Sequence, residues 1–408
     1  MQEGNPLKSW LPTNNGFPLQ NIPFSTYKST SGDIHCATRV GDFVVDLAVL
    51  EKAGLFNDKW NAHQKERAVF SEPHLNKFME LGKEWWHEAR VSIQEIFLES
   101  NEVLRDNEEL RKAALIKAED AQMTLPVKIG DYTDFYSSRP HAFNIGSIVR
   151  GPDNAMQDNW FHLPVGYHGR ASTVLLGDGV VRRPKGQVRP KGAKDPKWSE
   201  CKRLDFELEV GAFVGKSNPL GQPIKVKEAG DYIFGLTLLN DWSARDIQVW
   251  EYVPLGPFNA KNFLTTISPW IVTTEALAPF KKQLPAQDPK PFPYLDEGDS
   301  HSSYDINLFV DLELAEQPGK THTVTKTNFS NLYWSVEQQL THHAVTGCNM
   351  NVGDLLGSGT ISGEEKTAYG SMMELSWSAQ KPIDFGGDVT RSFINDGDTV
   401  TLRGECQG

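Results

Sequence analysis

The chain has 408 residues, and its 41 Lys and Arg stand against 53 Asp and Glu, which gives a formal net charge of −12 at pH 7. A hydrophobic fraction of 39% together with 34 glycines is typical of globular chains and excludes a chain that is disordered throughout. The acidic balance disfavours nucleic acids and anionic membranes as partners, because both bind positively charged surfaces.

The distribution of apolar residues and cysteines narrows the class of protein further. No run of about 18 apolar residues occurs, which predicts no transmembrane helix, and the first thirty residues lack the apolar stretch of a secretory signal. A basic stretch at 181–198 contains three prolines, and we interpret it as a solvated loop. The cysteines are far apart and form no CxxC pair, which disfavours a disulfide framework or a zinc site and favours a cytoplasmic location: Cys36, Cys201, Cys348 and Cys406.

Residues 1–122 are predicted to form an N-terminal domain of short strands and helices. Gly41 and Asp42 are turn residues that precede a β-branched run, which predicts a strand ending near Leu47. Over 73–120, apolar residues recur at near-helical spacing among Glu and Lys, and no proline follows Pro73. This segment is therefore predicted to form two or three amphipathic helices.

Residues 123–408 are predicted to form a larger, β-rich domain. Alternation of apolar and polar residues predicts strands at 204–210, 306–312 and 399–401, and helices are expected at 336–345 and just before Phe234. Many Gly and Pro residues separate these elements. The fold class that follows is mixed α+β, mainly β and mostly antiparallel, rather than a doubly wound sheet.

The strand at 204–210 carries the most informative residues. Its alternation puts Asp205, Glu207 and Glu209 on one face, a pattern that is also typical of a solvated acidic strand. Asp134 lies in a polar, aromatic segment, and Asp241 directly follows an apolar run that predicts a buried strand.

Convergence of these acids would require a counter-ion. If Asp134, Glu207, Glu209 and Asp241 meet, their mutual repulsion is relieved by a divalent cation. A ligand set made only of oxygens favours Mg²⁺ or Ca²⁺ over zinc.

Six segments of the chain form distinctive sequence blocks: DYTDFYSSR at 131–139, HLPVGYHGRAS at 162–172, NDWSARDIQ at 240–248, WEYVPLGPF at 250–258, GSGTISG at 357–363 and GSMMELSW at 370–377. Together they closely resemble the fumarylacetoacetate hydrolase family. The resemblance implies a metal-dependent, cytosolic, homodimeric hydrolase with a small N-terminal β-barrel-like domain and a larger C-terminal β-roll or sandwich. It further implies cleavage of a carbon–carbon bond in a diketo acid, 4-fumarylacetoacetate, to fumarate and acetoacetate.

The same resemblance assigns roles to individual residues. His141 takes the position of the general base, and Glu374 that of the residue orienting it. Arg245, Gln248 and Lys261 match groups that stabilise developing negative charge. The metal-ligand positions correspond to Asp134, Glu207, Glu209 and Asp241, with Lys261 and Thr265 beside them. The substrate-contacting positions correspond to Tyr136, Arg150, Tyr167, Gln248, Tyr252 and Thr360.

Leu264 occupies a position that is usually Gly in the family, which puts the backbone around Thr265 in question. The glycines at 357–363 miss the dinucleotide-binding spacing by one residue and are interpreted as a turn that presents Thr360.

The alternative functions are another diketo-acid hydrolase or a decarboxylase of the same superfamily, or a non-catalytic ion-binding protein descended from such an enzyme.

Overall fold

A computed structural model describes residues 7–13, 16–63 and 68–407. The first six residues of the predicted N-terminal domain and Gly408 lie outside the described residues. The N-terminal part contains an antiparallel five-stranded sheet with the strand order β4-β3-β2-β1-β5. Its strands are β1 (Phe24–Lys28), β2 (Ile34–Val40), β3 (Phe43–Asp46), β4 (Leu115–Lys117) and β5 (Gln122–Thr124).

Helices cover this sheet. The longest, α4, follows Gly82 and buries Trp86, Ala89, Ile93 and Phe97, which recur every three or four residues and so lie on one side of the helix. Three helices fall within 73–120, which confirms the predicted helical segment. The N-terminal helices are α1 (Leu47–Lys52), α2 (Asp58–His63), α3 (Asn76–Glu80), α4 (Lys83–Phe97) and α5 (Glu108–Ala114).

The remaining strands form the central sheet and several smaller sheets, and most of their pairs are antiparallel. They are β6 (Tyr132–Phe135), β7 (Gly166–His168), β8 (Val174–Leu176), β9 (Lys185–Val188), β10 (Lys197–Glu200), β11 (Leu204–Asp205), β12 (Leu208–Val214), β13 (Ile233–Asn240), β14 (Ser243–Ala244), β15 (Thr265–Ile267), β16 (Val272–Thr273), β17 (Lys281–Gln283), β18 (Ser302–Tyr304), β19 (Asn307–Glu313), β20 (Thr321–Asn328), β21 (Leu355–Gly357), β22 (Ile383–Asp384), β23 (Thr390–Arg391) and β24 (Thr399–Glu405). The helices are α6 (Arg139–Arg150), α7 (Arg245–Glu251), α8 (Thr274–Leu277), α9 (Val336–Ala344) and α10 (Met372–Leu375).

An eight-stranded sheet forms the centre of the molecule. Its order is β7-β6-β21-β12-β13-β15-β8, with β16 also paired to β13, and only the β21–β6 and β15–β8 pairs are parallel. Other parts of the chain pack against both faces of this sheet. Phe234 of β13 packs against Phe78 and Trp86 of the N-terminal helices, whereas Leu308 and Phe329 belong to the core on the other face. The structure confirms a mixed α+β, mainly β fold.

Several local predictions can be compared with these elements. The structure confirms the predicted strand at 306–312 as β19 and the predicted strand at 399–401 as β24. It also confirms the predicted helix at 336–345 as α9. The helix predicted before Phe234 is wrong, because only a single 3₁₀ turn, Ala229–Asp231, forms there before β13 begins at Ile233. The domain boundary at 122/123 stays a prediction.

Two further segments differ from their predicted form. The strand at 204–210 is interrupted, since β11 ends at Asp205 and β12 begins at Leu208, and every residue of β12 is buried. The basic stretch at 181–198 contains the antiparallel pair β9–β10 instead of a loop throughout, and its lysines are exposed. Within the described part of the chain, every helix is too short or too polar to cross a bilayer.

A buried ion pair holds the segment before β24. The Asp398 side chain is fully buried and accepts hydrogen bonds from Arg391 Nε at 2.8 Å, Asn395 N at 2.9 Å and Ala315 N at 3.1 Å. Burial by itself raises the pKa of Asp398, but the hydrogen bonds from Arg391 and from the two backbone N–H groups outweigh it and lower the pKa.

The Asp398→Asn variant is expected to lose about 2 kcal/mol of stability at pH 7, because Arg391 loses a charged partner. A lowered folded-state pKa contributes stability above the unfolded value of about 3.9 and loses it as the pH falls through the folded value. The difference between wild type and variant should therefore be constant from pH 7 to 5 and shrink below about pH 4. Urea denaturation at these pH values measures it, and a difference that persists undiminished at low pH would contradict the prediction.

Candidate active site

Three carboxylates from the strands of the central sheet lie close together. Asp134 lies on β6, Glu209 on β12, and Asp241 directly follows β13. Asp134 lies opposite Gly357 of β21, which in turn pairs with Gly211 of β12. Carboxylate oxygens of Asp134, Glu209 and Asp241 lie within 4.8 Å of one another, and all three residues are buried. This group can hold a metal ion, and we call it the acidic triad.

The surroundings of the acidic triad neutralise its negative charge only in part. Burial raises the pKa of Asp134 and of Glu209 well above the usual range, and repulsion from the neighbouring carboxylates raises both further. Within the described residues, Asp134 Oδ1 and Glu209 Oε1 are buried and have no hydrogen-bond partner. Buried oxygens without partners are costly, so a cation between them would remove the penalty.

Gly357 provides the space that such a cation needs. A Cβ atom at Gly357 would lie 2.8 Å from Asp134 Oδ1 and 3.0 Å from Glu209 Oε2. The missing side chain therefore lets the carboxylates of Asp134 and Glu209 approach each other across β21. The donor set of the acidic triad, which contains only oxygens, fits a hard divalent cation.

Lys261 and Thr265 lie beside the triad at Asp241. The Lys261 ammonium forms ion pairs with Asp241 Oδ2 and Glu207 Oε2. Burial lowers the pKa of Lys261, but the charges of Asp241 and Glu207 outweigh it and raise the pKa, so the side chain stays charged. Thr265 Oγ1 lies 3.4 Å from Asp241 Oδ1. Leu264 thus leaves Thr265 in contact with the site.

Glu207 forms ion pairs with Arg245 and Lys261 and is not a member of the acidic triad. Its Oε1 accepts Arg245 Nη2 at 2.7 Å, and its Oε2 accepts Ser243 Oγ at 2.9 Å. Burial raises the pKa of Glu207, but Arg245, Lys261 and His141 outweigh it and hold the pKa well below the usual range. Glu207 is therefore an ionised carboxylate that links the cations to the triad.

A buried imidazole faces this network. His141, in the first turn of α6, is 3% exposed, and its Nδ1 lies 2.7 Å from Glu374 Oε2. Its other ring nitrogen, Nε2, lies 3.6 Å from Glu207 Oε1. Because Nδ1 contacts Glu374, Nε2 is the ring nitrogen that points toward Glu207 and the acidic triad.

Glu374 is itself held by three further polar side chains. Asn144 Nδ2 donates to Oε1 at 3.0 Å, Ser371 Oγ donates to Oε2 at 2.8 Å, and Ser362 Oγ contacts both oxygens. Burial raises the pKa of Glu374, but His141 and these hydrogen bonds outweigh it and lower the pKa. Sequence reasoning missed Asn144, Ser362 and Ser371. Asn144 could have been found from its place one helical turn after His141.

Comparison with known proteins identifies the family of this site. The family model Fumarylacetoacetate (FAA) hydrolase C-terminal matches residues 132–408, and Fumarylacetoacetase N-terminal matches residues 20–126. The chain belongs to the fumarylacetoacetate hydrolase family. It is 50% identical to the fumarylacetoacetase of Homo sapiens over 404 residues, which cover 98% of this chain and 95% of the relative. It is 49% identical to the fumarylacetoacetase of Arabidopsis thaliana over 405 residues, with the same coverage.

A solved structure agrees with the fold. The fumarylacetoacetate hydrolase of Exiguobacterium antarcticum is similar with a TM-score of 0.50 and 12% identity, covering 94% of this chain and 95% of that chain. At this identity the likeness concerns the fold alone.

The residues that the family resemblance assigned to substrate are placed unevenly around the site. The Tyr136 ring lies 5.4 Å from the His141 ring, and Tyr167 OH lies 3.4 Å from Asp241 Oδ2. Thr360 is buried in the segment that follows β21. This segment does not form the predicted turn, because Ser358 N and Ile361 N donate to backbone carbonyls of β12. Arg150 ends α6 and donates to backbone carbonyls, and Tyr252 directly follows α7 and is partly buried. The roles of these residues stay predictions.

Proposed function

We propose that this enzyme hydrolyses 4-fumarylacetoacetate to fumarate and acetoacetate, the last step of tyrosine and phenylalanine breakdown. The observation that carries the proposal is the buried His141–Glu374 pair, whose free nitrogen faces ionised Glu207 next to the acidic triad. Identity of about half the residues to two fumarylacetoacetases over nearly the full length supports the choice of substrate.

His141 acts as the general base in this proposal. With Nδ1–H donated to Glu374, Nε2 is free to accept a proton from a water molecule. The hydroxide attacks the ketone carbon next to the double bond and forms an alkoxide. When this alkoxide collapses, the carbon–carbon bond breaks, fumarate forms, and the electron pair leaves as the enolate of acetoacetate, which then takes up a proton.

Fixed positive charges stabilise the negative charge that develops on these oxygens. Arg245 and Lys261 are buried, and the adjacent carboxylates raise the pKa of each despite burial, so both stay protonated. Gln248 Oε1 accepts from Arg245 Nη1 at 3.1 Å, which leaves the Gln248 NH₂ group as a further donor. Because these donors are already positioned, little reorganisation is needed in the transition state.

The acidic triad, with Glu207 next to it, is the proposed site for Mg²⁺ or Ca²⁺. When bound, a divalent cation supplies Lewis-acid polarisation of the substrate carbonyl groups. Lys261 and Thr265 hold Asp241 from the other side. The diketo acid itself is bound, in this proposal, by Tyr136, Arg150, Tyr167, Gln248, Tyr252 and Thr360. We also propose that the enzyme is a cytoplasmic homodimer, as the resemblance implies.

The assay that tests this function follows the loss of ultraviolet absorbance when purified protein meets 4-fumarylacetoacetate, with fumarate and acetoacetate quantified chromatographically. We expect one fumarate and one acetoacetate per substrate, and turnover that falls with a chelator and returns with Mg²⁺ or Ca²⁺. Release of CO₂ instead would favour a decarboxylase of the same superfamily. Loss of substrate without fumarate would overturn the proposal.

A further inference from the structure

Asp205 is a buried acid at the edge of the site for which the mechanism above gives no role. It is 0% exposed and ends β11, on the chain just before Glu207. Its Oδ2 accepts Arg245 Nε at 2.8 Å and Met373 N at 3.0 Å, and its Oδ1 accepts Met372 N at 2.7 Å. Both oxygens are therefore already in use, so Asp205 is not available to the acidic triad as a ligand.

These hydrogen bonds join two parts of the catalytic machinery. Met372 and Met373 are the first two residues of α10, the four-residue helix that carries Glu374. On the other side, the guanidinium of Arg245 is held at Nε by Asp205, at Nη2 by Glu207 and at Nη1 by Gln248. A guanidinium held at Nε cannot rotate freely about its long side chain, because its planar donors then have one orientation.

We propose that Asp205 is a positioning residue that aims the Arg245 guanidinium into the site and fixes α10, and with it Glu374, relative to Arg245. The inference rests on the proposed function. Asp205 acts through Arg245 and Glu374 and does not touch the substrate. Its contribution is geometric, since Arg245 retains Glu207 as an ionic partner in any case.

The Asp205→Asn variant tests this role. Asparagine has one acceptor oxygen and one NH₂ donor. In either orientation of its amide, the NH₂ group therefore faces an N–H group whose hydrogen bond Asp205 accepts in the wild type. We expect kcat to fall about 10- to 100-fold, less than the effect of losing an oxyanion donor outright. KM and the affinity for Mg²⁺ measured by calorimetry should each stay within about threefold of wild type, because the acidic triad is untouched.

A matched control is available elsewhere in the chain. Asp398 makes a similar set of contacts outside the site, since it accepts from Arg391 Nε and Nη2 and from two backbone N–H groups. Asp398→Asn should lower stability but leave kcat unchanged. An equal fall of kcat in Asp398→Asn and Asp205→Asn would mean that loss of a buried ion pair acts through stability alone, and would overturn the proposal.

A double-mutant cycle shows whether Asp205 acts through Arg245. Combining Asp205→Asn with Arg245→Met should lower kcat by less than the product of the two single losses, because an arginine that is absent cannot be misaligned and only the contribution through α10 remains. Losses that multiply in full would mean that Asp205 does not act through Arg245, and would overturn the proposal. If Asp205→Asn does not fold, Asp205→Glu keeps the charge but displaces the carboxylate by one methylene. It should lower kcat about tenfold, and full activity in Asp205→Glu would mean that only the charge matters.

A crystal structure of the variant tests the role of Asp205 separately from the proposed function. If the wild-type protein does not hydrolyse 4-fumarylacetoacetate, the proposed function is wrong, but the role of Asp205 is still tested by that structure. A crystal structure of Asp205→Asn decides independently. We expect the Arg245 guanidinium to lose its present orientation, with its hydrogen bond to Gln248 broken while it stays paired with Glu207, whereas an unchanged guanidinium would overturn the positioning role.

Discussion

Replacing His141 with Asn should lower kcat for 4-fumarylacetoacetate by about 10³-fold while the protein remains folded and binds divalent metal. A positioned general base contributes about 10²- to 10⁴-fold, and the Asn side chain has no nitrogen that can accept a proton at neutral pH. The metal site should be retained because the acidic triad lies on β6, β12 and the end of β13, whereas His141 lies on α6. Steady-state kinetics and calorimetric titration with Mg²⁺ measure the two properties separately.

The chain contains a closely matched control for this variant. His301 is also buried, at 8% exposed, and its Nδ1 lies 2.7 Å from Glu297 Oε2, the same distance as in the His141–Glu374 pair. His301→Asn removes a buried imidazole from a carboxylate but should leave kcat within about twofold. Turnover retained in His141→Asn, or lost equally in His301→Asn, would contradict the assignment of His141 as the base.

The sequence predicted much of the fold because hydrophobic periodicity reports burial. The helices within 73–120 and the strand before Asp241 followed from apolar spacing alone. The break between Asp205 and Leu208 could not be read from the sequence, because its alternation continues unchanged through 204–210. The break depends on the pairing of Leu204 and Asp205 with β14, a contact distant in sequence.

The same limit applies to the site. Alternation put Glu207 and Glu209 on one face, but it could not reveal that Glu207 meets Arg245 and Lys261 while Glu209 meets Asp134 and Asp241. Glu207 and Glu209 have the same side chain, and their roles differ because the central sheet and α7 place different partners beside each of them from distant positions in the sequence. His141 and Glu374 were found only through the family resemblance, since they are separated by 233 positions.

The Glu209→Gln variant should lower the affinity for Mg²⁺ or Ca²⁺ by at least about 100-fold and, in the metal-free protein, raise the melting temperature. The affinity falls because a carboxylate ligand of the acidic triad is replaced by a neutral amide. The metal-free protein gains stability because one of three mutually repelling, buried carboxylates loses its charge, as the raised pKa of Glu209 through burial and repulsion indicates. Thermal melts with chelator and with added metal measure both changes.

Two comparison variants make this prediction specific to the metal site. Glu297→Gln neutralises another buried glutamate, which contacts His301 and Ser335, and should leave metal affinity unchanged. Gly357→Ala retains every carboxylate but places a methyl group against Asp134 and Glu209, so it should weaken metal binding without removing charge. The backbone of Gly357 has no positive φ that would disfavour alanine. Unchanged metal affinity in both Glu209→Gln and Gly357→Ala would contradict a cation in the acidic triad, because one variant removes its charge and the other its space.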